Sequence, residues 1–335
     1  MPPIIDTSLQ ASRAGTNLPL TTIALGYKQP DFVMKWLFPL VETSTYGGTI
    51  LRFGEGETDE INDDRADAAP YPEIDAAGYE GLPYKLNTKG FSYPLGDKRR
   101  QEMENLNINW GALATRALMK HVGMVHEIEG AIAATTVGNY ASTHRVTLSS
   151  GSQLNETGVD PAIAISTAKS RISAYAMTPP NVAIMGQEVF DVLTIKYARI
   201  LTGGNASSDA QMVMTEELLA RLLGLRKVGV CRAARRGVPV FGKNLVLGYV
   251  PPDALSDEEG LQVYRPRRAD LVSVAEPAYG FTYVMVGQPK ISNAIRDELR
   301  SRTVWKVDFD RKVALTGVNE AGLLTHGYLI ANAVA

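Results

Sequence analysis

From Arg99 to about Val137 the chain has no proline, and only Gly111, Gly123 and Gly130 weaken an otherwise helix-forming run. Asp97 stands where an N-cap is needed. Leu106, Trp110, Leu113, Ala117, His121, Val125, Ile128 and Ile132 recur at spacings of three and four, which predicts one buried face. A single helix over this range would be about 55–60 Å long, at about 1.5 Å of rise per residue. That exceeds the width of a compact domain, so the body around it is expected to be elongated, a tile rather than a globule.

What precedes the helix fits the same shape. Thr49 to Phe53 is strand-like and leads into residues 54–67, which hold seven carboxylates and one arginine. Tyr84 to Leu95 alternates enough to predict a return strand. The expected element is a long two-stranded ribbon with an acidic, Gly/Pro-punctuated tip. Such a ribbon is marginal alone in water, so it should lie on something, a neighbouring subunit above all. Upstream, residues 1–22 read as an extended arm. The irregular apolar patch Ile23 to Tyr27, Phe32-Val33 and Trp36 to Val41 needs another surface to cover it.

Downstream the pattern turns to mixed α/β. Asp160-Pro161 opens a helix through about Tyr175, Val182 to Met185 is a buried strand, and Gly186 to Leu193 turns back into helix. Thr215 caps a helix from Glu216 to Leu223, with its carboxylates in the first turn. Lys227 to Cys231, Leu245 to Tyr249, Leu271 to Val274 and Phe281 to Val286 are expected strands. In the last section Trp305, Val307 and Phe309 alternate, Asp310 to Lys312 is expected to turn, Val313 to Leu315 follows, and Gly327 to Val334 closes the chain as an apolar strand.

The sequence carries no complete motif for catalysis or metal binding. His126-Glu127-Ile128-Glu129-Gly130 begins like a zincin motif but places Gly130 where the second histidine belongs, and His121 and His126 lie on different faces of their helix. There is no nucleophile elbow or phosphate loop, and the segment from Asp59 to Asp64 lacks the ligand spacing of a calcium loop. Cys231, the single cysteine, excludes internal disulfides and reads as a small buried hydrophobe. A formal net charge of −2 excludes recruitment of nucleic acid by a global basic field. No uncharged apolar run approaches the length of a membrane span. No catalytic, cofactor-binding or metal-ligating residue is therefore assigned, and no cofactor is expected. The acidic tip, 55–67, is expected either to be solvated or to meet basic groups of another subunit, with Lys98-Arg99-Arg100, Arg235-Arg236 and Arg265-Arg267-Arg268 as candidates.

An arm, a long ribbon, a spine helix, an α/β region and a final β-section, in that order, resemble the tailed-bacteriophage major capsid protein family. Three stretches carry the likeness. Ala24 to Phe32 with Leu37 to Val41 is similar to the family's arm, Asn181 to Leu193 to the strand-to-helix step of its axial domain, and Gly317 to Val334 to its closing strand. The resemblance implies an α+β, Hong-Kong-97-type fold: N-terminal arm 1–48, E-loop 49–96, peripheral domain with spine helix 97–154, axial domain 155–290, and C-terminal peripheral strands 291–335. It implies a structural protein, not an enzyme, that forms pentamers and hexamers of an icosahedral or prolate shell around double-stranded DNA. Its place would be the virion, after assembly in the host cytoplasm. A portal and a separate scaffolding protein are implied partners, with a decoration protein in some members and no membrane. Lys85 and Lys89 lie in the loop without an identifiable partner, so no covalent crosslink is expected. The alternatives are an encapsulin-like nanocompartment, which the acidic loop and long arm disfavour, and an α/β enzyme.

Overall fold

The computed structural model describes residues 20, 32–51, 81–104, 109–201, 214–255, 263–264, 278–319 and 321–335. The acidic tip, the arm before Phe32 apart from Leu20, the expected strand at Leu271 to Val274 and Arg265-Arg267-Arg268 lie outside the described residues.

The centre is a five-stranded sheet in the order β5 (Arg145–Thr147), β17 (Gly327–Ala331), β10 (Leu245–Gly248), β6 (Val182–Gly186) and β7 (Lys227–Cys231). Every residue of β6, β10 and β17 is buried, which is why these strands read as unbroken apolar runs rather than alternating ones. Ala183, Met185, Val228, Val230, Leu245 and Leu247 face a layer of three helices: α4 (Pro161–Ala176), α5 (Gln187–Leu201) and α6 (Glu216–Leu222). The caps expected from sequence are present. Asp160 accepts from the Ala162 N–H at 2.8 Å, and Thr215 accepts from the Leu218 N–H at 3.2 Å. The opposite sheet face, with Val182, Ile184, Cys231 and Val246, meets the short helix α1 (Met34–Leu37) and the C-terminal half of α3 (Trp110–Thr135). Expected with the terminal peripheral strands, β17 instead enters this central sheet. It runs antiparallel to β10 and parallel to β5, because its residues are apolar on both faces and need a doubly covered position.

The N-terminal half of α3 packs on a second sheet. There β15 (Arg302–Asp308) pairs with β4 (Gly90–Gly96), β13 (Lys290–Ile291) and β14 (Ile295–Asp297). Ala114, Leu118, Met119 and Val122 of α3 join Leu95, Trp305, Val307 and Phe309 in one core. A third sheet, in the order β11 (Val263–Tyr264), β1 (Leu40–Thr43), β12 (Gly280–Met285) and β16 (Arg311–Leu315), completes the body. The spine therefore contributes to both cores, its N-terminal half to one and its C-terminal half to the other.

Two sequence expectations change. The helix is not continuous: α2 (Asp97–Glu104) ends before Asn109, whose backbone is extended at φ −76° and ψ 94°. Asn109 caps α3 by accepting from the Ala112 N–H at 3.1 Å. The spine proper is 26 residues, about 39 Å. Asn109→Ala should cost about 1 kcal/mol in urea unfolding of the unassembled subunit, the usual loss for an N-cap. The buried face of α3 is also not the expected one. Leu113 and Ile132 are 44% and 50% exposed, whereas Ala114, Thr115, Gly123, Glu127, Gly130 and Ala131 are buried. Small residues let other elements approach the helix axis closely, and a periodicity count weighted by bulk does not register them. Leu106 lies outside the described residues.

The ribbon is shorter at its base than expected. Among the described residues, β2 (Gly47–Leu51) pairs antiparallel with β3 (Gly81–Lys85), while Gly90 to Gly96 departs to β15.

Candidate assembly surfaces

At the foot of the β2–β3 ribbon a polar cluster fixes how it leaves the body. Arg311, 1% exposed, donates Nε to Glu129 Oε2 at 3.0 Å and Nη2 to Glu129 Oε1 at 3.1 Å. Lys89, between β3 and β4, places Nζ 2.7 Å from the same carboxylate, and its backbone N–H donates to Asp310 Oδ1 at 2.9 Å. Asp310 Oδ2 also accepts from the Tyr46 hydroxyl at 3.1 Å and from Gln288 Nε2 at 2.9 Å. Helix α3, strand β16 and both ends of the ribbon thus meet on two carboxylates. The guanidinium lies 5.0 Å from the Phe309 ring centre, a cation–π contact.

Sequence reading missed this cluster by placing Arg311 in a turn. Its position continues the phase of Trp305, Val307 and Phe309, and an arginine in an inward register is itself the sign of a buried ion pair. His126 and Cys231 are engaged in packing. His126 is buried, contacts Thr282 Oγ1 at 2.9 Å through Nε2, and is driven down to about 3 by burial and by the charges of Arg311 and Lys89. His121 is exposed beside Phe91, so the two histidines do lie on different faces. Cys231 is buried, and burial with the neighbouring Glu127 charge pushes its thiol up to about 12. Among the described residues no group of three His, Cys, Asp or Glu side chains could hold a metal, and no helix is long and apolar enough to cross a membrane.

No family model matches the chain. Over 286 residues it is 24% identical to the major capsid protein of Burkholderia phage BcepMu, covering 83% of this chain and 86% of that one. A solved phage-related protein from Bordetella bronchiseptica is 26% identical, with TM-score 0.71 over 95% of this chain and 97% of its own. The capsid of Myoviridae phage XM1 has the same fold at 13% identity, TM-score 0.50, over 91% of this chain and 93% of its own. The chain is thus similar to phage major capsid proteins in sequence and shares their fold.

The fold is accordingly of the Hong-Kong-97 type. Several exposed features could meet other copies. Leu299, at the β14–β15 turn, is 99% exposed, and the outer stripe of α3 shows Leu113 and Ile132. Leu299 is flanked by two ion pairs that brace the turn. Arg302 Nε meets Asp297 Oδ2 at 2.8 Å, and Arg296 Nη2 meets Asp97 Oδ2 at 2.6 Å. Arg235 and Arg236 are exposed at the tip of a second hairpin, β8 (Ala234–Arg235) with β9 (Val238–Pro239). Lys98, Arg99 and Arg100 are exposed along α2. These basic groups remain candidates for the acidic tip.

Proposed function

We propose that the subunit forms the pentamers and hexamers of a tailed-phage head that encloses double-stranded DNA. It acts without catalysis, assembling in the host cytoplasm with a portal and a separate scaffolding protein, and in some heads with a decoration protein. The observation that carries this reading is the shape of the body. A spine runs into both cores and a two-stranded ribbon is clamped at its foot, while Leu299, Leu113 and Ile132 stand exposed for other copies to bury. Residues 1–48 are assigned to the arm, 49–96 to the E-loop, and 97–154 with 291–335, apart from β5 and β17, to the peripheral domain. Residues 155–290 form the axial domain, to which β5 and β17 are added because they complete its sheet. His126 and the buried carboxylate Glu127 of α3 direct their polar atoms at internal partners, which supports a structural role.

Electron microscopy of the expressed protein, with a nuclease-protection assay on native particles, tests the proposal. Closed shells containing protected DNA are expected. Shells filled only with protein cargo, or a monomer under every condition including added scaffold, would overturn it. Leu299→Asp gives a second readout. At a side chain this exposed the subunit should keep its unfolding free energy within about 0.5 kcal/mol. Shell yield should nevertheless collapse, because a carboxylate is placed where a neighbour buries an apolar group. Leu113→Glu on the outer stripe of α3 should behave in the same way.

A further inference from the structure

The sheet edges of this subunit are unequally protected. An open edge is a template for another strand, and proteins blunt it with charge, proline or shortness. Among the described residues, Lys85 of β3, Arg145 of β5, Lys227 of β7, Arg296 of β14 and Lys312 of β16 supply charge at edge strands. Strands β8, β9, β11 and β13 are only two residues long. That leaves β2, five uncharged residues, and β4, seven. Register identifies their free groups. The Asp97 N–H donates to Ser301 O at 3.1 Å and the Phe309 N–H to Lys89 O at 2.8 Å. Odd-numbered residues of β4 therefore bond to β15, and Gly90, Ser92, Pro94 and Gly96 turn their backbone groups outward. The Leu86 N–H donates to Tyr46 O at 2.8 Å, so Gly48 and Ile50 bond to β3 while Gly47 and Thr49 turn outward. These outward residues are exposed, and among the described residues their backbone groups have no partner. Pro83 and Pro94 both fall at outward positions, where a missing N–H breaks no ladder bond. Pro83 and Lys85 close the β3 side of the ribbon, whereas Pro94 removes a single donor from β4. We infer that the β2 edge of one copy pairs with the β4 edge of the next through main-chain hydrogen bonds.

The choice of unlike edges rests on the shell reading, which requires rings. Pairing like with like, β4 to β4 or β2 to β2, relates two copies by a twofold and stops at a dimer. Pairing β2 to β4 is heterologous. Each copy offers one edge and receives on the other, so repeated rotation closes a ring. The ribbon, marginal as two strands alone in water, also gains a sheet to join. Because its β3 side is closed, it can join from one side only, which gives the ring a direction.

Hydrogen exchange read by mass spectrometry, on dilute full-chain subunits and on the shells they form, tests the pairing. In the subunit the outward amides of Gly47, Thr49, Gly90, Ser92 and Gly96 should exchange fast. In shells the peptides spanning 47–51 and 90–96 should both slow at least about 10-fold, since each outward amide then opens only when copies separate. Ser92→Pro and Thr49→Pro each remove one outward N–H, as Pro94 and Pro83 already do. Each should lower shell yield at least about 5-fold at matched concentration, the factor for one net hydrogen bond. Their subunits should melt with wild type, and Ser92→Ala and Thr49→Ala, which keep the N–H, should assemble normally. Shells in which either peptide stays fast overturn the pairing and leave the shell reading standing; slowing of 90–96 alone gives that edge to a different strand. Proline variants that assemble as well as the alanine variants overturn it too. A chain that forms no shells removes the shell reading and the pairing together. The wild-type comparison decides even if the proline variants do not fold.

Discussion

Gly186→Ala is expected to cost at least about 3 kcal/mol, the upper range for overpacking a rigid site. Gly186 ends β6, and its N–H donates to the Asn244 carbonyl at 3.1 Å. A Cβ there would overlap the carbonyl oxygen of Gly242. That oxygen belongs to a tight turn with Gly242 at φ 56°, closed by Asn244 Nδ2 donating to Phe241 O at 2.7 Å. Neither partner is a side chain, so no rotamer change relieves the overlap. Either β6 loses its register with β10 or the turn opens, and both disturb the core between the central sheet and α4–α6. Thermal melts of the unassembled subunit should show a drop of about 5 °C or more, or soluble protein should be lost. Gly138→Ala is the control, since nothing lies within 4 Å of its added methyl. A Gly186→Ala subunit that melts with the control would sink the close-approach argument.

That glycine shows what a sequence can disclose. The strand-to-helix step from Asn181 to Leu193 was legible because buried strands leave continuous apolar runs and helices leave caps, both local signals. Hence β6, β7, β10, α4 and α6 appear close to where the residues place them. Long-range choices were not legible. Nothing local says that Gly90 to Gly96 deserts the ribbon for β15, or that Gly327 to Ala331 inserts between β5 and β10. Those pairings depend on which surfaces are left uncovered once the body has formed. The inner face of α3 was missed for a related reason. Gly123, Glu127 and Gly130 look like defects in an amphipathic helix until residues 32–38 are seated on them.

The clamp at the foot of the ribbon offers the other large effect. Glu129→Ala should destabilise the subunit by about 2–4 kcal/mol, somewhat below the usual cost of breaking a buried pair because Glu129 is 24% exposed. The loss arises mainly from the guanidinium of Arg311, which keeps its burial and its place over Phe309 but no longer has a counter-charge. Replacing both partners, Arg311→Met with Glu129→Leu, removes the charge along with its mate. It should recover most of that loss, since apolar pairs of similar volume replace buried ion pairs at little net cost. Lys89, 30% exposed on its side chain, can then turn to solvent. Urea unfolding of the single and double variants measures the coupling, and equal costs for both would show that the pair is not the source of the effect. Stability and assembly should then separate. The double variant folds, yet the Lys89 and Arg311 contacts that aim the β2–β3 ribbon are gone, so its shells should be fewer and irregular by electron microscopy. If the double variant assembles as well as wild type, the cluster contributes to the fold alone, and the direction of the ribbon is set by its pairing and by Asp310 with Tyr46.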